Sequence, residues 1–154
     1  GIGESCVTAI EALNVMYDEG LIENSEKVGA HLLDRLKGLQ AKYPDIIKDV
    51  RGLGLMIGLE FQDFSQTLPM MLRPMVAMLD DKLKGSLSGF VGSLLLRDYD
   101  TLVAFTEYNR NVIRLEPPLV CTMEDADTFV NALDSLLGRG VIWIVKDFIK
   151  SKVS

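Results

Sequence analysis

Residues 50–61 read VRGLGLMIGLEF, three glycines in a dozen positions behind an arginine. Glycines this dense either cradle a phosphate or line a strand. A dinucleotide-binding turn has the spacing G-x-G-x-x-G, comes after a strand and opens a helix. Here the glycines are Gly52, Gly54 and Gly58, one residue too far apart. The residues around them alternate instead: Leu53, Leu55, Ile57, Leu59 and Phe61 are apolar, with Gly52, Gly54, Met56, Gly58 and Glu60 between them. Period two is the pattern of a strand with one face in a core. The glycines leave its other face nearly bare, open to close approach by another segment. The stretch is predicted to be one strand, with Arg51, Gly52 and Gly54 as its structural entry.

Two helices are predicted upstream. In GESCVTAIEALNVMYDEG (3–20), Val7, Ile10, Leu13 and Tyr17 recur every three or four residues, and Gly20 is placed to stop the helix. Asn24 or Ser25 is expected to cap the second, whose stripe of Val28, Leu32, Leu36, Leu39 and Tyr43 runs to Pro44. His31 lies beside that stripe, and as a lone helical histidine it is expected to be a surface or core-edge residue and not a catalyst.

Downstream, residues 65–98 suggest a helix broken by Pro69 and Pro74, a glycine and serine stretch, and a second helix up to Asp98. Their methionines suit either a greasy groove or core packing. TLVAF (101–105) and NVIRLEP (111–117) are predicted strands around the turn-like TEYNR. A final long helix begins after Thr122, with Asp125 as its capping-box partner and Ala126, Phe129, Val130, Leu133, Leu136 and Leu137 facing the core. The tail after Gly138 restarts as a short amphipathic helix with Ile142, Val145 and Ile149 inward and Trp143 as anchor. The sum is an α+β domain: a small antiparallel sheet of about three to four strands packed against helices. One domain is expected over 1–154, with an insertion at 62–98 and a tail helix at 139–154.

Composition narrows the function. The chain has 154 residues, 48% hydrophobic and 25% charged, with a formal net charge of −6. This is enough to bury one core. An acidic balance without a Lys/Arg block disfavours a nucleic-acid partner and suits the cytoplasm. One histidine and two cysteines build no zinc cluster, so no metal is expected; Cys6 and Cys121 are expected as buried free thiols. No apolar run approaches the roughly 20 residues of a membrane span, and the opening GIGESC carries no secretory signal pattern. Lys146, inside VIWIVKDF, is expected to snorkel.

Three stretches in this order carry a resemblance: GESCVTAIEALNVMYDEGLIENSEKVGAHLLDRLKGL, VRGLGLMIGLEF and NVIRLEPPLVCTMEDADTFVNALDSLL. Together they resemble the C-terminal small domain of class III pyridoxal-phosphate aminotransferases, of the ornithine, acetylornithine and putrescine type. The resemblance implies the sheet and helices of fold-type I enzymes. It implies pyridoxal 5'-phosphate as cofactor of a parent enzyme, with none expected in this fragment, because the family's Schiff-base lysine lies upstream of these segments. One functional residue carries over. Arg114, in VIRLEPP, takes the place of the family's arginine that meets the substrate carboxylate, and a guanidinium fork suits that task. The implied partners are a large domain of the parent, an amine or amino acid and a 2-oxo acid such as 2-oxoglutarate. Apolar surface left open without that large domain is expected to make the fragment a homo-oligomer, with the methionine-rich insertion or the tail helix in the contact. A non-catalytic amino-acid-binding or interaction module within a larger chain is the alternative reading.

Overall fold

The computed structural model describes residues 2–63, 70 and 87–153. In chain order the elements are α1 (Gly3–Asp18), α2 (Leu21–Lys42), β1 (Ile47–Leu53), β2 (Met56–Phe61), α3 (Leu87–Tyr99), β3 (Ala104–Phe105), β4 (Val112–Leu115), α4 (Met123–Leu137) and α5 (Val141–Val153). The strands form one antiparallel sheet in the order β1-β2-β4-β3. This is the expected α+β architecture. The proposed broken helix before Gly85 falls largely outside the described residues. The predicted helix after it is α3.

The glycine-rich stretch at 50–61 is two strands, not one. Leu53 pairs with Met56, and Gly54–Leu55 form a two-residue hairpin turn. Gly54 has φ +53°, the left-handed conformation that such a turn requires at its first position. The turn reverses the pleat: Leu53 and Met56 pair on the outer face, 89% and 66% exposed, while the inward position beside the turn in β1 is Gly52, so the apolar odd positions imitate one continuous strand. The close approach predicted from the glycines does exist, but it comes from α2 onto this turn. A Cβ on Gly29 of α2 would lie 2.1 Å from the Gly54 carbonyl oxygen. Beside it, the Leu55 N–H donates to Ser25 Oγ at 3.3 Å.

That contact also revises the start of α2. The helix begins at Leu21, immediately after Gly20 at φ +63°. Asn24 and Ser25 are therefore inside it, and neither caps. Ser25 meets the hairpin, and Asn24 Nδ2 donates to the carbonyls of Leu119 and Cys121 at 2.7 and 3.0 Å.

The register puts Ile57, Leu59 and Phe61 on the same face as Ile113 and Leu115, and all five are buried under the helices. Val28, Leu32, Leu36 and Leu39 of α2 and Val130, Leu133, Leu136 and Leu137 of α4 complete the core, as the helical spacing predicted. Thr122 and Asp125 form the expected capping box at the start of α4. In the tail helix Val145 and Ile149 are buried as expected, together with Ile144 and Phe148, while Ile142 and Trp143 are exposed. Phe148 meets Phe90 of α3 at a centroid distance of 4.7 Å, and Arg139 stacks 4.5 Å over Trp143 outside the core. Among the described residues no single helix is long and apolar enough to cross a membrane.

Gly29→Ala forces its new methyl group into the hairpin backbone, which cannot swing aside. The variant is expected to lose roughly 3 kcal/mol in urea unfolding, at the upper end of overpacking costs. Gly38→Ala, with nothing within 4 Å on the same helix, is expected to be neutral or to gain up to about 1 kcal/mol. Equal effects of the two would discard the close-packing account.

Candidate functional site

The face of the sheet away from the helices is built by cross-strand register. Arg51 of β1, Gly58 of β2, Arg114 of β4 and Ala104 of β3 form one row across the strands. A Cβ on Gly58 would make only ordinary contacts, the closest at 3.7 Å. The two arginines therefore flank a bare position, about 10 Å apart at two strand spacings. In the neighbouring row, Asp49 pairs with Glu60 and Glu60 with Val112.

Glu60 is buried, 8% exposed, although it is charged. Lys48 Nζ donates to its Oε1 at 2.7 Å, and Arg51 Nη1 donates to its Oε2 at 2.8 Å. These bonds, Lys48 first and Arg51 next, hold its pKa down at about 2 against the opposing effect of burial. Arg51 also donates to Asp49 Oδ2 at 2.6 Å. Arg51 thus sits inside β1 and ties two strands together. The expectation of a strand entry that anchors a loop is corrected to that extent. Gly52 and Gly54 serve the hairpin, since a Cβ on Gly52 would meet the Met56 carbonyl at 2.4 Å.

Arg114 is half exposed and pairs through Nε with Glu116 Oε1 at 3.1 Å. Ile113 and Leu115 on either side are buried, so the strand pleat turns Arg114 outward. Beside it opens a cavity of about 320 Å³ between β3, β4, α2 and α4. Its apolar wall includes Leu32, Leu102, Val103, Ala126 and Phe129; Cys121 lines it too, and its charged residues are Arg114, Glu116 and Asp125. Asp125 is committed to the cap, accepting from the Thr122 N–H and hydroxyl at 2.9 and 2.7 Å. Burial, with Asp125 adding to it, pushes the Cys121 thiol up.

Other sequence candidates lie elsewhere. Cys121 is buried as expected, but Cys6 is exposed on α1. His31 does have an acid across the helix interface: its Nε2 lies 2.9 Å from Asp127 Oδ1, which Arg35 also approaches at 3.4 Å. This group joins α2 to α4, and none of its side chains is part of the cavity lining. Lys27, Lys37, Lys42, Lys48, Lys146 and Lys150 are all exposed, and among the described residues no lysine lines the cavity. Among the described residues no set of three or more His, Cys, Asp or Glu side chains is placed to hold a metal. Glu60 and the cavity went unnoticed in the sequence. Glu60 looked like filler on the bare face, and only the hairpin register brings it to Lys48 and Arg51.

Known proteins resemble this chain over most of its length. The family described as aminotransferase class-III matches residues 4–137. Alanine–glyoxylate aminotransferase 2 homolog 2, mitochondrial, of Arabidopsis thaliana is 33% identical over 141 residues, 90% of this chain and 26% of that protein. A Bacillus anthracis aminotransferase superposes with a TM-score of 0.64 at 26% identity, covering 87% of this chain and 28% of that one. An ornithine aminotransferase from Plasmodium yoelii gives 0.53 at 28% identity, over 90% and 28%. The chain spans about a quarter of the length of these relatives.

The depressed pKa of Glu60 has a definite sign. Its ionised form is the one the fold stabilises. Its contribution is complete above the unfolded value near 4.5 and is lost as pH falls through about 2. Urea unfolding of Glu60→Gln, measured from pH 7 down to 2, is expected to start less stable and to converge on the parent chain in acid. A constant gap between the two curves would remove Glu60 from the acid dependence.

Proposed function

We propose, since this chain belongs to the class III aminotransferases, that it is the small domain of a longer transaminase and presents Arg114 to a substrate carboxylate. The observation that carries the reading is the half-exposed Arg114 on the outer row of the sheet, beside a cavity and next to the bare Gly58. A guanidinium holds its charge under partial desolvation and donates two parallel hydrogen bonds to a carboxylate. Its partner Glu116 is 40% exposed, so exchanging that ion pair for a substrate carboxylate costs little. The partners in this reading are the large domain of the parent, an amine or amino acid, and a 2-oxo acid such as 2-oxoglutarate.

Class III aminotransferases use pyridoxal 5'-phosphate, which acts as the electron sink for amino transfer. That group does not fit the residues described. Lys27, Lys37, Lys42, Lys48, Lys146 and Lys150 are exposed, with Lys42 bound to Asp134 at 2.8 Å and Lys48 to Glu60. The reading therefore assigns the cofactor and its lysine to the rest of the parent and expects this chain alone to be inactive. A second reading, a non-catalytic amino-acid-binding module, is favoured by the cavity beside Arg114.

One experiment separates them. Treated with pyridoxal 5'-phosphate and borohydride, the chain is expected to show no single lysine modified to completion by intact mass. In calorimetry it should bind glutamate weakly or not at all. A stoichiometric lysine adduct would overturn the first reading, and saturable glutamate binding would establish the second.

The reading also includes self-association. The contact expected at the methionine-rich insertion lies largely outside the described residues, and the tail helix buries its apolar face in the core. Helix α1 takes over that role. Its Val7, Ile10, Leu13 and Tyr17 are each more than half exposed and form one apolar stripe. Light scattering is expected to show concentration-dependent dimers that Ile10→Glu/Leu13→Glu abolishes. A strict monomer at high concentration would sink this assignment.

A further inference from the structure

We propose that the cavity beside Arg114 is a tail subsite: it takes the hydrocarbon chain of an aliphatic acid whose carboxylate rests on Arg114. The inference builds on the reading of Arg114 given above and adds the class of acid it serves. Three observations carry it.

The first is size and lining. About 320 Å³ lies within the range of small-ligand sites, and the walls formed by Leu32, Val103, Ala126 and Phe129 are apolar. A second amino or carboxylate group at the end of the ligand would lose its hydration there without gaining a partner. The second is the state of the charges. Asp125 is held by Thr122, and Glu116 is already balanced by Arg114. When a ligand carboxylate takes Arg114, Glu116 is exposed enough to turn into water. The third is construction. The cavity is walled by separate elements: Leu32 comes from α2, Ala126 and Phe129 from α4, and Val103 from the approach to β3. Leu32 and Ala126 are 3% and 2% exposed, so this part of the wall is fixed by the core.

Cys121 supplies the readout. It is buried in the lining, so a bound chain should shield it from a thiol reagent. In a Cys6→Ser background, the rate of Cys121 labelling by a disulfide reagent at mildly alkaline pH would be followed against straight-chain carboxylates from acetate to octanoate. The matched primary alcohols and glutamate serve as controls. Affinity is expected to rise about threefold to fourfold for each added methylene until the cavity is filled. Arg114→Gln should weaken every carboxylate while leaving the alcohols unchanged.

The failures are distinguishable. Carboxylate protection that depends on Arg114 but not on chain length would overturn the tail subsite and leave the reading of Arg114 standing. Chain-length dependence shared equally by alcohols and indifferent to Arg114→Gln would show an apolar cavity without an acid site, overturning both. No protection by octanoate at millimolar concentration would also overturn the proposal.

Discussion

The domain depends on a contact between two pieces of backbone. Gly29 lets α2 settle directly onto the Gly54–Leu55 turn, at a distance no side chain would allow. The hairpin is thereby fixed in height and angle against the helix that supplies much of the core. Because the close pair lies at the tip of the hairpin, it also sets where β2 lies. β2 carries the register of β4, and with it the place of Arg114. A packing constraint at one edge of the sheet thus determines the geometry of a charge near the other.

The two faces of the sheet divide the work. The inner face is a continuous apolar surface roofed by helices, and it provides stability through burial. The outer face carries few side chains with bulk and many with charge. Glu60 sits between Lys48 and Arg51 in a desolvated setting, where satisfied pairs hold geometry more than they add stability. Its effect is to pin Arg51 toward β2, while Arg114, paired only with the exposed Glu116, keeps its guanidinium available. Two arginines in one row, spaced by a glycine, have different tasks because their partners are buried to different degrees.

Much of this was legible from the residues. Helical spacing located the buried stripes of α2 and α4, and S/T-x-x-D spacing located the cap at Thr122. The chain order of the Arg51 strand and the Arg114 strand pointed to one sheet, and both strands do belong to it. The misses have separate causes. Leu53 is apolar although it faces outward, and Gly52 holds the inward place beside the turn, so β1 and β2 read as a single ribbon. Ser25 and Asn24 have capping chemistry, yet tertiary partners claimed both side chains. Spacing placed Val145 and Ile149 of the tail helix, but so much of that helix is apolar that spacing also turned Ile142 inward, where the structure has Ile144 and Phe148. The cavity is assembled from segments far apart in the chain, a kind of site that local pattern cannot reveal.

Helix α1 buries none of its residues. Its sixteen residues therefore draw no cohesion from the core that holds the other elements together. Its backbone amides are free to open to solvent through local fraying, on a free-energy scale of their own, while the sheet and its helical roof stay closed. Helicity in this segment becomes a property of whatever covers it, and the domain proper begins, in thermodynamic terms, at Gly20.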